Sequence, residues 1–284
     1  MALRYVEHRP RASLRPHLEC LWLVSDPRPR VRRAPERVVP DGCPELIVHL
    51  GDPFSRQVGG RWRRQRRAFL AGTLTRPWLL RAGRQVATLG VRFRPGEVTP
   101  LLPVSMAAAT GRETELAAIV GRPRARALVA ALAAARGDAS RFAAAEDWLD
   151  SQLALAGRRP SGTARPAVRA LLEARGASRI ADVARALGWS RRRLERVFAR
   201  ELGIRPKLFA RIVRLNAVLA GLDAAERASA VDLALDAGYF DQAHLLRDFR
   251  VLAGRTPRHG RERDGELARN FTHPERLRLL LAGE

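Results

Sequence analysis

The stretch IADVARALGWSRRRLERVFARELG, residues 180–203, decides how the C-terminal part of this chain folds. Ile180, Val183, Ala184 and Leu187 recur at i, i+3, i+4 and i+7, the apolar face of a short helix that Ser178 is placed to cap. Gly188-Trp189 interrupts that helix, and Ser190 is placed to cap a second one. On the second helix Leu194, Val197, Phe198 and Glu201 share one face, of which only the first three are expected to pack inward. Arg192, Arg196 and Ala199 point the opposite way, flanked by Arg191, Arg193, Arg200 and Glu195. Gly203 stands where a left-handed residue ends a helix, and Pro206 follows. Two short helices about a glycine turn, the second with an apolar back and an arginine front, make a helix-turn-helix.

The pattern then repeats. Ala234, Gly238, Leu245, Phe249, Gly254 and Pro257 answer Ala184, Gly188, Leu194, Phe198, Gly203 and Pro206, with one extra residue in the second turn. One such unit is mimicked by any helical hairpin; two in register are hard to reach by chance. In the second copy Asp241 caps, Leu245, Phe249 and Leu252 face inward, and Gln242 lies in the first turn. Ala243, Arg247 and Arg250 face outward, with His244 on the edge. Between the copies, Leu208, Ile212, Leu215 and Leu219 line one side of a continuous helix over 207–222, roughly 24 Å long at about 1.5 Å per residue.

Residues 161–262, with GWSRRRLERVFARELGIRP and GYFDQAHLLRDFRVLAGRTP as signatures, resemble the DNA-binding domain of AraC-type transcription regulators. That resemblance implies two helix-turn-helix units held rigidly by a long helix, reading successive major grooves about 34 Å apart. It implies double-stranded DNA as partner, RNA polymerase as a second one, and sequence-specific transcription regulation. Arg192 and Arg196 are expected to reach base edges, where arginine pairs with guanine. Arg191, Arg193 and Arg200 are expected to meet phosphates, with Ser190 and Glu195 on the same surface. On the second helix Gln242 suits adenine, and Ala243 and Leu246 suit a thymine methyl; His244, Arg247 and Arg250 complete that surface.

The chain has 284 residues, enough for two domains with cores of their own. Apolar residues make up 46%, which excludes a disordered chain. A formal net charge of +23 favours a polyanionic partner. All but one of the 52 basic residues are arginines spread throughout, so their placement on a recognition helix says more than their number. Two cysteines, Cys20 and Cys43, give neither a disulfide framework nor a zinc pair. MALRYVEHRP lacks the apolar core of a signal peptide, and the apolar run 127–135 is half a membrane span. A cytoplasmic protein with no membrane partner is expected.

Residues 1–111 read as β-rich: Leu18–Val24, Glu45–Leu50, Ala68–Gly72, Trp78–Arg81 and Val86–Phe93 are apolar runs between Pro, Gly and Asp clusters. Pro27–Arg37 reads as a Pro/Arg-rich loop and Gly59–Arg67 as a basic hairpin tip, both solvated rather than binding sites. VPDGCPELIVHLGDPF (39–54) and VRFRPG (91–96) resemble elements of a group of AraC-type regulators whose N-terminal domain is a cupin-like β-barrel. The resemblance implies an α+β chain: barrel, helical connector over 112–160, all-α double helix-turn-helix domain over 161–262, and a charged tail over 263–284. It gives no ligand. A small-molecule effector or a dimerisation role is the expectation for the barrel, with Asp41, Cys43, Glu45 and His49 as the effector's contacts; Glu45 and His49 share a strand face with Cys43. Pro40-Asp41-Gly42 is also ordinary turn chemistry.

No His-x-His pair of the kind that cupin enzymes use is present among the six histidines, and no catalytic grouping is visible, so neither metal, cofactor nor catalytic residues are expected. The alternative is an enzyme in the barrel, brought to DNA by the C-terminal domain. In the connector, Leu128, Val129 and Leu132, then Phe142, Trp148, Leu149 and Leu153, mark two helices, with Ser140 or Asp138 as caps for the second. By resemblance such helices pair two subunits into a homodimer; intrachain packing explains the pattern equally well. GRRPSGTAR (157–165) reads as a linker, and 277–281 as a short terminal helix.

Overall fold

The computed structural model describes residues 3–26, 34–157, 163–224 and 238–256. Two antiparallel sheets face one another in the N-terminal half. One has six strands in the order β1 (Arg4–His8), β2 (Leu18–Asp26), β9 (Val86–Phe93), β4 (Glu45–His49), β7 (Ala68–Ala71) and β10 (Glu113–Glu115). The other has β3 (Glu36–Val38), β8 (Trp78–Arg81), β5 (Ser55–Val58) and β6 (Arg61–Arg64). Strands β5 and β6 form a hairpin over Gly59-Gly60, both at positive φ, as a two-residue turn requires.

Alternation along the six-stranded sheet separates two interiors. Leu21, Leu23, Leu46, Val48, Leu70, Leu89 and Val91 face a helical layer: α1 (Met106–Ala109), α2 (Leu116–Val120), α3 (Arg122–Ala134) and α4 (Asp138–Ala156). Leu128, Leu132, Phe142, Trp148 and Leu149 bury themselves there, so the apolar faces of α3 and α4 are occupied within the chain. Arg11 fastens α4, its N–H on Glu146 (2.7 Å) and its guanidinium on Asp147 (2.8 Å) and Asp150 (3.0 Å). The other sheet face, turned towards the four-stranded sheet, carries Trp22, Ile47 and Phe69. Helix α4 begins after Gly137, with Asp138 in its first turn and no side-chain cap.

The C-terminal half is helical: α5 (Arg165–Glu173), α6 (Ile180–Ala186), α7 (Arg191–Glu201), α8 (Pro206–Ala224) and α9 (Gln242–Asp248), the last continued by a π-helical turn over Phe249–Ala253. Val168, Leu171, Val183, Leu194, Val197, Phe198, Phe209, Ile212, Leu215, Leu245, Phe249 and Leu252 form one core. Helix α8 spans 19 residues, roughly 28 Å. Its buried side includes Phe209, Val213 and Val218 besides Ile212 and Leu215, while Leu208 and Leu219 are half-buried. Helix α6 starts after Arg179 without a side-chain cap, so Ser178 does not fill that role.

Residues 225–237, which hold Ala234, lie outside the described residues, as do Pro257 and the expected terminal helix. So do 27–33 of the Pro/Arg-rich loop and 158–162 of the linker.

The two halves pack tightly. Val39 belongs to the core of the helical half. Gly42 (φ 91°) lies against Phe209, whose ring a Cβ would meet at 2.7 Å. Thr73 donates to the Leu202 carbonyl (2.7 Å) and Thr110 to that of Gly203 (3.0 Å). Arg165 reaches Glu97 (2.8 Å), whose second oxygen holds His17 (2.9 Å). The expected elements 39–54 and 91–96 thus contribute part of this contact, through Val39, Gly42 and Gly96, and residues 73, 97 and 106–110 contribute more.

Candidate nucleic-acid interface and barrel cavity

Helix α7 is built as its sequence demands. The Ser190 hydroxyl accepts from the Arg193 N–H (3.1 Å), and the helix ends at Gly203 (φ 75°). A side chain at position 203 would strike the Met106 carbonyl at 2.3 Å, so the glycine serves both the turn and the contact with α1. Leu194, Val197 and Phe198 are buried. Glu201, expected outside the core, is buried too, at 1% exposure. Its carboxylate accepts the Ala164 N–H (2.8 Å) and pairs with Arg200 (2.6 Å), which satisfies the charge.

The outward arginines fall into two groups. Arg191 pairs with Glu195 (3.0 Å), Arg193 lies over the Trp189 ring (4.7 Å), and Arg200 is held by Glu201. Arg192 and Arg196, also exposed, make no hydrogen bond or ion pair among the described residues. Two undirected guanidinium groups therefore sit at the centre of the exposed face, with three tethered ones around them.

In α9 the Asp241 carboxylate accepts the His244 N–H (2.6 Å), and Leu245, Phe249 and Leu252 are buried. Gln242, Ala243, Arg247 and Arg250 are exposed; His244 and Leu246 are half-buried, the imidazole edge-on to Tyr239 at 5.0 Å. Asp248 is buried between Arg211 (2.8 Å) and the Tyr239 hydroxyl (3.3 Å), joining α9 to α8. Burial and the Asp248 charge push the Tyr239 hydroxyl's pKa well up, so it stays a donor. Phe240, beside the extra turn residue of the second copy, is 90% exposed. The sequence reading passed over it; an aromatic next to a cap that no helical face needs was the available signal.

Asp41, Cys43, Glu45 and His49 all line one cavity of about 60 Å³ between the sheets, with Trp22, Ile47, Phe54, Phe69, Trp78 and Arg92. Register explains its layout. Arg92 pairs with Cys20 on one side and Glu45 on the other, Gly90 with Trp22 and Ile47, and Thr88 with Val24 and His49. Gly90 is bare because the Trp22 indole lies across it, 2.0 Å from where a Cβ would stand.

Arg92 is 2% exposed and gathers three carboxylates: Glu19 (2.9 Å), Glu45 (2.7 Å) and Asp41. Glu19 joins through a bulge between Leu18 and Cys20, which turns its side chain towards Arg92. Asp41 also accepts the Cys43 N–H (2.8 Å) and so shapes the turn. Burial, with the three carboxylates adding to it and Arg92 opposing, pushes the Cys43 thiol well above its usual range. Sequence reasoning missed Arg92 and Glu19, which only strand pairing brings together.

At the far end His49 lies between Phe54 and Phe69, its Nδ1 3.0 Å from the Thr88 hydroxyl. Burial lowers its pKa to about 4; Gln65 opposes this in part, and the nearby Arg67 and Arg64 add to it. The imidazole is neutral. Among the described residues, no group of three or more His, Cys, Asp or Glu side chains is placed to hold a metal ion, and no helix is long and apolar enough to cross a membrane.

Residues 183–263 match the family described as "Helix-turn-helix domain", and residues 6–115 the family described as "Domain of unknown function (DUF6597)". No curated protein matches the chain. Among solved structures, ToxT from Vibrio cholerae is similar at 7% identity and a TM-score of 0.44, covering 84% of this chain and 95% of that one, a likeness too slight to bear on function.

Proposed function

We propose that this chain, a DNA-binding transcription regulator with an AraC-type helix-turn-helix domain at residues 183–263, reads DNA through α7 and α9 and answers to a small effector in its barrel. The observation that carries the DNA reading is the pair Arg192 and Arg196, exposed and undirected at the centre of α7. Arginines without internal partners lose little on turning to base edges, whereas the tethered Arg191, Arg193 and Arg200 suit phosphates. Selection of bound sequences from a random duplex library by the full chain, followed by footprinting, tests it. Two protected half-sites about one helical turn apart are expected; binding without sequence preference would overturn the reading.

The effector reading rests on the cavity, small, buried and polar at both ends. Narrowing it by Ala71→Leu should abolish any change in operator affinity that a panel of small molecules produces in the wild-type chain. A homodimer through the connector would use the outer faces of α3 and α4, where Leu155 is exposed, because their inner faces are spent on the barrel.

A further inference from the structure

We infer, on the basis of the DNA reading above, that the β5–β6 hairpin of the barrel is a further nucleic-acid contact, which grips the phosphate backbone bordering the half-site of α9.

Charge singles the hairpin out. Residues 53–96 hold eleven arginines and neither Asp nor Glu, in a chain with 29 of these acidic residues. A general arginine bias scatters arginines but does not clear carboxylates from among them. Tertiary neighbours answer only some of these cations: Glu113 pairs with Arg56 (3.0 Å), Glu115 with Arg66 (3.3 Å), and Arg92 has its own carboxylates in the cavity. Asp52, whose carboxylate holds the Gln85 N–H (3.0 Å), lies near Arg64 and Arg84. Arg61, Arg63, Arg64, Arg76 and Arg84 are exposed, and their guanidinium groups make no hydrogen bond or ion pair among the described residues. Arg63 also stands directly opposite Arg56 in the ladder, a like-charge pair that an anion relieves.

Strand pairing brings this charge to the DNA-binding half. Gly254, just past the π-helical turn that ends the second recognition unit, lies against the barrel. A Cβ there would stand 2.9 Å from the Pro77 ring and 3.4 Å from Arg37 Nε. Pro77 immediately precedes β8. Strand β5 runs antiparallel to β8 with Arg56 opposite Leu80, so Val58 comes level with Trp78. The Gly59–Gly60 tip therefore reaches the end of the sheet that meets the second unit. Arg61 follows on β6, two strands from β8, which is about 10 Å at the usual strand spacing. Arg76 stands in the same corner, next to Pro77.

The form of the surface suits a polymer. Arg56 lies over the Trp78 ring (4.0 Å) and Arg81 over the Trp62 ring (4.1 Å), so the hairpin is held to β8 and loses little freedom on contact. Strand β6 is the edge of its sheet, and by alternation Arg61 and Arg63 leave it on one face and Arg64 on the other. Cations spread along both sides of a ribbon match phosphates recurring about every 3.4 Å along a strand better than they match one small anion. Such contacts are electrostatic, so they add affinity at low salt and fade as salt rises.

Phosphate-ethylation interference on the selected operator, with the full chain, tests the assignment. A cluster of sensitive phosphates is expected outside the groove that α9 enters, bordering its half-site. The triple change Arg61→Ala, Arg63→Ala and Arg64→Ala should erase that cluster and leave the α7 half-site as it was, which also reports that the variant is folded. It should lower the salt slope by about two to three and weaken binding at low salt about tenfold. Lysine at the same three positions keeps the charge and should keep both cluster and slope. A wild-type pattern confined to the two grooves overturns the inference without any variant. An alanine triple with an unchanged slope does so too, and leaves the arginines as guards of the sheet edge against pairing. A lysine triple that loses as much as the alanine one places the effect in shape and not in charge, against the inference. Retention on phosphatidylserine vesicles that the alanine triple loses, with its slope on DNA intact, reassigns the surface to a lipid. If selection yields no consensus, the base-reading proposal fails, and the slope on a duplex of arbitrary sequence still decides the role of the hairpin.

Discussion

Asn216 of α8 donates its side-chain amide to the Pro40 carbonyl at 2.8 Å, across 176 residues of chain. The same amide reaches back to Ile212 on its own helix (2.8 Å), so one buried side chain holds the barrel's turn against the helix that joins the two recognition units. Asn216→Ala leaves the Pro40 carbonyl without that partner. The expected cost is about 1–3 kcal/mol, read as a lower urea midpoint of the full chain. An unchanged midpoint would mean that water replaces the amide without loss.

Arg196→Ala should relax sequence preference, losing about 1–3 kcal/mol of discrimination at one position of the site. Arg200→Ala, which removes a guanidinium held by Glu201, should weaken all sequences alike and lower the salt slope by about one. Competition binding across a randomised library, repeated at several salt concentrations, separates the two outcomes. A uniform loss for Arg196→Ala would contradict its base-reading role.

The second recognition surface offers Arg247 and Arg250 where the first offers five arginines over residues 191–200. Its half-site should therefore fade first from footprints as salt rises. Phe240, exposed at the start of this unit, is expected to add an apolar contact, so Phe240→Ser should weaken the same half-site and spare the other. Equal loss of both half-sites with salt would remove the asymmetry.

His49 makes the barrel acid-sensitive in a defined window. Its folded pKa of about 4 lies below the ordinary 6.5, so the unfolded chain takes up the proton first. Its contribution is complete above about pH 6.5 and is lost as pH falls towards 4. Between pH 7 and 5 the loss is about 2 kcal/mol. His49→Gln should remove that part of the pH dependence, measured as the difference between the two proteins' unfolding curves at each pH. Parallel pH profiles would show that the imidazole takes up its proton in the folded state without penalty.

Cys20 and Cys43 are both buried and form no disulfide. With the Cys43 thiol pushed up by burial beside three carboxylates, little reactive thiolate forms at neutral pH. Iodoacetamide should label neither cysteine in the native chain and both after unfolding in urea. Operator affinity should not change after mild peroxide; a change abolished by Cys43→Ser would reveal an oxidation sensor.

Much of the helical half was legible because a helix is specified locally. The spacing of Leu194, Val197 and Phe198, the Ser190 cap and the Gly203 stop all act within a few residues of one another. The five apolar runs of the barrel were legible for a similar reason: fully buried strands are apolar throughout. The short polar strands Arg4–His8, Glu36–Val38 and Ser55–Val58 were not, since only neighbouring strands make them strands.

By itself, then, the sequence determined the first helix-turn-helix, the recognition helix of the second, and the inward face that places Glu45 and His49 on one side of β4, because helical and strand periodicities are properties of consecutive residues. The tertiary structure alone decided that Glu19, Asp41 and Glu45 converge on Arg92, and that Glu201 is buried against Ala164. It also decided that the 39–44 turn presses on α8. Charges are placed in an interior by strand register, by a bulge and by the docking of one half on the other. Each of these joins residues tens to hundreds apart, where the pattern along the chain carries no record of which partner will stand opposite.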